Sequence, residues 1–188
     1  MTHLLGALSV VLLVGMVLTR VAMLRTRGVV AMRFGAIDKT DFLIPPFPLL
    51  YLYLILASAF DWPTVIHSTL FASTAAAWAG VALCALAVGT MAATLVAFGS
   101  SFRVGIDTEH PDKLITGGIF AHTRNPIYVA FALALCGEFL ILPHWLLLLY
   151  LLAGVTLFHR QVLREEAYLA SHYGAAYEAY RRRVRRYL

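Results

Sequence analysis

The sequence predicts an all-α fold: a polytopic transmembrane helix bundle of about five spans, the last two folded into a helical hairpin, followed by short cytoplasmic interfacial helices. Three observations lead there. Hydrophobic residues make up 61% of the 188 residues, against ~45–50% in a soluble domain, and the mean hydropathy is +0.78. Only 13% of the residues are charged, and they stand in clusters between long apolar stretches. Those stretches approach or exceed the ~20 residues that a spanning helix needs. No repeat or polar linker divides the chain, so residues 1–188 read as one domain. Residues 1–98 supply three N-terminal spans, and residues 99–188 supply a polar loop, the hairpin and the C-terminal helices.

The first span is expected over Leu4–Leu24. Its apolar run lacks the basic start and cleavage site of a signal peptide, and Arg20, Arg25, Arg27 and Arg33 follow, as in a retained span. The second is expected over Phe42–Phe60, with Pro45, Pro46 and Pro48 at its start, where proline costs a helix least. The third, Leu70–Phe98, is long enough to tilt. The run from Ile127 to Phe158 is too long for one crossing, and Pro143-His144 near its middle divides it into two short antiparallel arms. From about Leu157 onward polar and aromatic residues enter the pattern, so the second arm leaves the bilayer. Gly174 is the expected break before a short amphipathic helix bearing Tyr177 and Tyr180. Tyrosine suits that interface because its ring is apolar and its hydroxyl wet.

Charge sets the orientation. In a five-span count the Arg20–Lys39 loop, the Arg103–Arg124 loop and the C-terminal tail share one side, and the connections at Asp61–His67 and Pro143-His144 carry no Lys or Arg. Basic loops stay cytoplasmic, which places the N-terminus outside and the tail inside, in what reads as a bacterial inner membrane. The net charge is +5, and Arg181, Arg182, Arg183, Arg185 and Arg186 supply five positive charges in the tail. Beside membrane spans such a run reads as an anchor for anionic head groups rather than a nucleic-acid patch. Membrane lipid is therefore an expected partner, nucleic acid is not, and no obligate protein partner is inferred.

The residues suited to chemistry gather at the cytoplasmic ends. Leu114-Ile-Thr-Gly-Gly-Ile-Phe-Ala-His-Thr-Arg-Asn-Pro-Ile-Tyr128 stands just before the fourth span, and Arg164-Glu-Glu166 just after the fifth. A hairpin returns the acids to the loop. Gly117 and Gly118 let backbone amides approach a ligand closely. Asn125-Pro126 opens a helix, with Asn a good N-cap and Pro suited to the first helical position. Free N–H groups at a helix start favour a carboxylate, and Arg124 can clamp one bidentately. Tyr128 lies one turn inside. Glu165 and Glu166 diverge by about 100° on a helix, so at most one faces a given pocket; the other pairs with Arg164 or a tail arginine, or faces water. Arg103 and Asp107 line the same loop, Arg103 as a candidate for a polar substrate head. Glu138 lies at membrane depth, where an acid needs a partner and a reason; His144 or a cavity polar group is the candidate. His122 and His159 can face the cytoplasmic site. Cys84 and Cys136 lie in apolar runs and read as small buried hydrophobes, so neither a disulfide nor a metal is expected.

The Leu114–Tyr128 stretch, Glu165-Glu166 and Tyr173-Gly-Ala-Ala-Tyr-Glu-Ala-Tyr180 together resemble the isoprenylcysteine carboxyl methyltransferase family and its phospholipid-methyltransferase relatives, over roughly residues 95–188. Asn125 departs from the His of the eukaryotic carboxyl methyltransferases, Ala130 from a common Gly, and Ile119-Phe120 from a frequent Pro-Tyr. The resemblance implies an S-adenosyl-L-methionine-dependent enzyme built of membrane helices. Its cofactor would be held around Leu114, Ile115, Gly117 and Gly118, with Asn125, Tyr128 and one of Glu165 and Glu166; His122, from its place in the loop, is a further candidate. Arg124, Glu165 and Glu166 would be catalytic; from their own places in the sequence, apart from the resemblance, Arg103 and Glu138 join Arg124 as expected contacts to a lipophilic or lipidated substrate. Carboxyl O-methylation of an isoprenylcysteine-like acceptor leads. Methylation of a phospholipid amine or small thiol is the nearer alternative, and a nicotinamide-dependent membrane reductase the more distant one.

Overall fold

A computed structural model of the chain describes residues 1–26, 46–63, 68–98 and 114–188. These form six α-helices: α1 (Thr2–Thr26), α2 (Pro46–Phe60), α3 (Thr74–Phe98), α4 (Pro126–Ile141), α5 (Trp145–Tyr173) and α6 (Ala175–Arg183), with a 3-10 turn at Gly118–Ala121. The fold is all-helical. α1, α3 and α5 are long and apolar enough to cross a membrane, and α2 and α4 are shorter apolar helices. Leu4, Leu8, Leu12, Leu18, Leu86, Leu149 and Leu152 all point outward. Such a coat is normal against lipid and a liability in water. The helices satisfy their own backbone hydrogen bonds, which lipid demands.

The boundaries follow local chemistry. The first span extends to Thr2–Thr26, slightly beyond the apolar run. The second begins at Pro46, with Phe42–Pro45 outside the described residues. The third begins at Thr74 rather than Leu70. Leu70 is held instead by its backbone N–H, which donates to the Pro143 carbonyl at 2.6 Å and ties this connection to the hairpin turn. The hairpin divides where proline and histidine predict. α4 ends at Ile141, and α5 starts after His144, whose ring accepts from the Leu146 amide at 3.2 Å. α5 then runs unbroken for 29 residues, ~43 Å at 1.5 Å per residue, so it outreaches a ~30 Å hydrocarbon core. Gly174 ends it at φ +50° and ψ −123°, a conformation that a Cβ resists. Gly174→Ala is expected to lower stability by about 1–3 kcal/mol, read as a lower unfolding temperature in detergent, although nothing lies within 4 Å of a Cβ there.

Two packed layers join the helices. Ala7 and Val10 of α1 meet Leu54 and Ile55 of α2 and Leu142, Leu147 and Tyr150 at the hairpin turn. Leu13 of α1, Ala87 and Met91 of α3, and Ala130 and Ala134 of α4 form the second layer, with Met16, Val17 and Ile127 beside them. The C-terminal halves of α1 and α3 therefore lie level with the start of α4. The tightest crossing is between α3 and α4. A Cβ at Gly80 would stand 2.5 Å from the Gly137 carbonyl oxygen, and one at Gly137 would stand 2.6 Å from Cys84 Sγ. Small residues let membrane helices approach this closely. Gly154 serves α5 similarly, taking Leu135 of α4 where its Cβ would be.

Candidate functional site

The polar site is assembled at the end of the bundle where α4 begins and α5 emerges. Phe120, in the 3-10 turn, packs edge-on against Phe98 of α3 with ring centroids 4.8 Å apart. Its carbonyl accepts from the Tyr180 hydroxyl at 2.7 Å, which pins α6 onto the turn. Thr123 pairs with Arg185 in a short parallel bridge, and the Arg124 amide donates to the Arg185 carbonyl at 3.0 Å. The tail after α6 thus lies along the segment that leads into α4.

Glu166 is the centre of this assembly. Arg124 Nη2 lies 3.1 Å from its Oε1, with both side chains only 7% exposed. Arg186 Nε and Nη2 each lie 3.0 Å from its Oε2. Asn125 Nδ2 donates to Oε1 at 3.0 Å and to the Arg186 carbonyl at 3.1 Å. Thr123 Oγ1 donates to the same carbonyl at 3.2 Å. One carboxylate therefore binds two guanidiniums, leaving a net positive charge. The hydrogen bond to Glu166 raises the Arg186 pKa above its ordinary value. Arg124 also donates to the Arg181 carbonyl at 3.2 Å. Two buried polar atoms here have no hydrogen-bond partner, Arg124 Nε and the Tyr177 hydroxyl. Burial pushes the Tyr177 and Tyr180 hydroxyls up to about 12, so both stay protonated at neutral pH.

Glu165 takes the neighbouring direction. Its Oε1 accepts from the Tyr128 hydroxyl at 2.5 Å and from Gln161 Nε2 at 3.1 Å. Tyr128 packs against Phe158 of α5 at 5.9 Å between centroids. Both acids thus stand at the mouth, but in separate compartments: Glu166 among arginines, Glu165 against a tyrosine and an apolar ring.

Several expectations change in detail. Asn125 occupies the N-cap position before Pro126, but its side chain makes no capping bond; it turns to Glu166 and Arg186, and Thr123 Oγ1 accepts from the Asn125 amide at 3.3 Å. The carboxylate that Arg124 holds is Glu166 of this chain. Glu138 lies at the far end of α4, ~18 Å along the axis from Pro126 at 1.5 Å per residue. Its neighbour is Cys84, whose Sγ donates to Oε1 at 3.6 Å, and Gly6 of α1 leaves room for the carboxylate. His144 caps α5. His159 pairs with Tyr187 at 2.8 Å, and His122 is exposed beside the 3-10 turn. Leu114 and Ile115 are half-buried, while Gly117 and Gly118 are exposed, Gly118 at φ +60°. Arg103 and Asp107 lie outside the described residues. Gln161 and Tyr177 are site residues that the sequence did not single out. Arg186 is the tail arginine that pairs with a glutamate; the sequence left five candidates for that pairing, and only the paired register of Thr123 and Arg185 separates Arg186 from the rest.

A helical bundle coated with apolar side chains, with a buried ion-pair cluster at one mouth, defines an integral membrane protein with a polar site at its surface. The chain belongs to the phospholipid methyltransferase family, whose profile matches residues 75–176. It is also similar to the protein-S-isoprenylcysteine O-methyltransferase of Schizosaccharomyces pombe, at 36% identity over 93 residues. That match spans 48% of this chain and 39% of the relative, so the chain covers well under half of the relative's length. No solved structure matches.

Proposed function

We propose that this protein is an S-adenosyl-L-methionine-dependent methyltransferase, acting on a lipophilic acceptor at the cytoplasmic membrane face. The leading acceptor is the carboxylate of an isoprenylcysteine-like molecule. The observation that carries this reading is the pair of compartments around Glu165 and Glu166, on a family background of methyl transfer. A zwitterionic cofactor needs acceptors for its ammonium and ribose hydroxyls and donors for its carboxylate. Glu165 supplies an acceptor held in place by Tyr128 and Gln161. The net positive charge around Glu166, the unpartnered Arg124 Nε and the unpartnered Tyr177 hydroxyl supply the donors. The residues present therefore fit the group.

When bound, S-adenosyl-L-methionine supplies a methyl group on a sulfonium, open to in-line attack. The work of the chain is positioning. Glu165 and Tyr128 fix one side of the mouth, and Phe158 and Phe131, stacked at 5.6 Å between centroids, present an apolar wall to a lipid tail. A carboxylate acceptor attacks in its ionised form, so no proton has to move. The family description names phospholipid, which supports a second acceptor class; on such a substrate we take the acceptor to be an amine. An amine must lose a proton, and Glu165 is the base within reach.

The test is calorimetric titration of S-adenosylhomocysteine into detergent-solubilised protein. Saturable binding is expected in the wild type, with a loss of at least tenfold, about 1.4 kcal/mol, in Glu165→Ala. A folded protein that binds none would overturn the reading. Methyl transfer to a prenylcysteine and to phosphatidylethanolamine, compared side by side, decides the acceptor.

A further inference from the structure

A second polar feature lies on the outer face of the bundle. Arg20 of α1 has its Nε buried without a hydrogen-bond partner, and no ion pair holds it among the described residues. It stands at one end of an open groove between α1 and α3, about 520 Å³ in volume, which runs along α1 from Val11 to Met23 with Leu95 on the α3 side. Gly15 opens the groove: nothing lies within 4 Å of a Cβ there. The twelve steps of helix from Val11 to Met23 rise ~18 Å, close to the ~15 Å depth of one leaflet of the hydrocarbon core. The groove is thus apolar along its length and cationic at the end near Thr26.

Its place in the bundle selects the occupant. The Leu13, Ala87 and Met91 layer packs α1 and α3 onto Ala130 and Ala134 of α4, so α4 stands between the groove and the glutamates of α5. The groove faces lipid, not the site. Met16 and Val17 lie level with Ile127, which puts Arg20 on the same side of the membrane as Arg124. A cation at that depth calls for a counter-charge, and basic pockets between spans on the cytoplasmic side bind anionic head groups.

We propose that the α1–α3 groove is a binding site for an anionic phospholipid, its phosphate on Arg20 and one acyl chain laid along Gly15. This site is independent of the methyltransferase reading. The choline of a zwitterionic lipid would oppose the field of Arg20, so preference for net negative charge is its signature.

The protein is reconstituted in vesicles of equal phosphatidylglycerol and phosphatidylcholine with matched dioleoyl chains. The lipid it retains after detergent release is then measured by native mass spectrometry. One interfacial cation favours an anionic lipid by about fivefold, so the ratio of anionic to zwitterionic lipid retained by the wild type is expected to fall about fivefold in Arg20→Gln, to the background that the other interfacial arginines hold. In Gly15→Leu, which fills the groove and favours the helix, retained lipid of both kinds falls several-fold while the unfolding temperature holds. An Arg20→Gln ratio equal to the wild type, or full lipid retention in Gly15→Leu, would overturn the proposal. Arg20→Gln alone decides should Gly15→Leu fail to fold.

Discussion

Replacing Glu166 by alanine is expected to destabilise the protein by about 3–5 kcal/mol, the cost of removing one partner from a buried ion pair. Arg124 is only 7% exposed and would lose its carboxylate. Arg186 would lose both of its bonds to Oε2, and Asn125 Nδ2 would lose one of its two acceptors. The tail that lies along Thr123 and Arg124 would then hold by backbone bonds alone. The neighbouring Glu165→Ala change is expected to leave the fold largely intact, because Tyr128 and Gln161 carry no charge to strand. Unfolding temperature in detergent and S-adenosylhomocysteine binding separate the two: Glu166→Ala loses stability first, and Glu165→Ala loses binding first. Equal stability losses in both would show that the two acids do not occupy separate compartments.

The α3–α4 crossing is expected to be as sensitive. Gly137→Val places a side chain where Cys84 Sγ is 2.6 Å and the Gly80 carbonyl oxygen 2.7 Å from the first added carbon. Backbone is the obstacle, so no rotamer change relieves it. Overpacking typically costs 1–3 kcal/mol, and this site stands at the upper end or beyond, because the helices must separate. Loss of folded protein on size-exclusion chromatography is the expected readout. Gly89→Ala on the same α3 meets nothing within 4 Å and is expected to be silent or mildly stabilising through helix propensity. If the two variants behave alike, the close approach of α3 and α4 is wrong.

Much of the fold was legible because lipid imposes a simple rule: long apolar runs become helices, and breaks fall at proline, glycine and polar clusters. Pro143-His144 and Gly174 mark the observed breaks for that reason. The meeting of Arg124 with the Glu165-Glu166 pair was legible too, since a hairpin returns its second arm to the level where the first began. The third span shows the limit of the rule. Leu70 and Phe71 are apolar enough to extend α3, but the bond from Leu70 to Pro143 holds this stretch to the hairpin turn. Glu138 shows another limit. Its need for a partner was evident, but that partner, Cys84, comes from a helix 54 residues away in sequence.

The sequence alone determined the helical class, the helix boundaries to within a few residues, and the end of the bundle where charged groups gather. Each depends on local hydrophobicity or on chain parity across a hairpin. Only the tertiary structure decided which glutamate meets which partner. Successive residues on a helix point about 100° apart, so the answer depends on how α5 is rotated about its axis. That rotation is set by contacts such as Leu135 seated on Gly154 and by the pairing of Arg185 with Thr123, which brings Arg186 to Glu166. These contacts join residues far apart in the chain, and no local pattern encodes them.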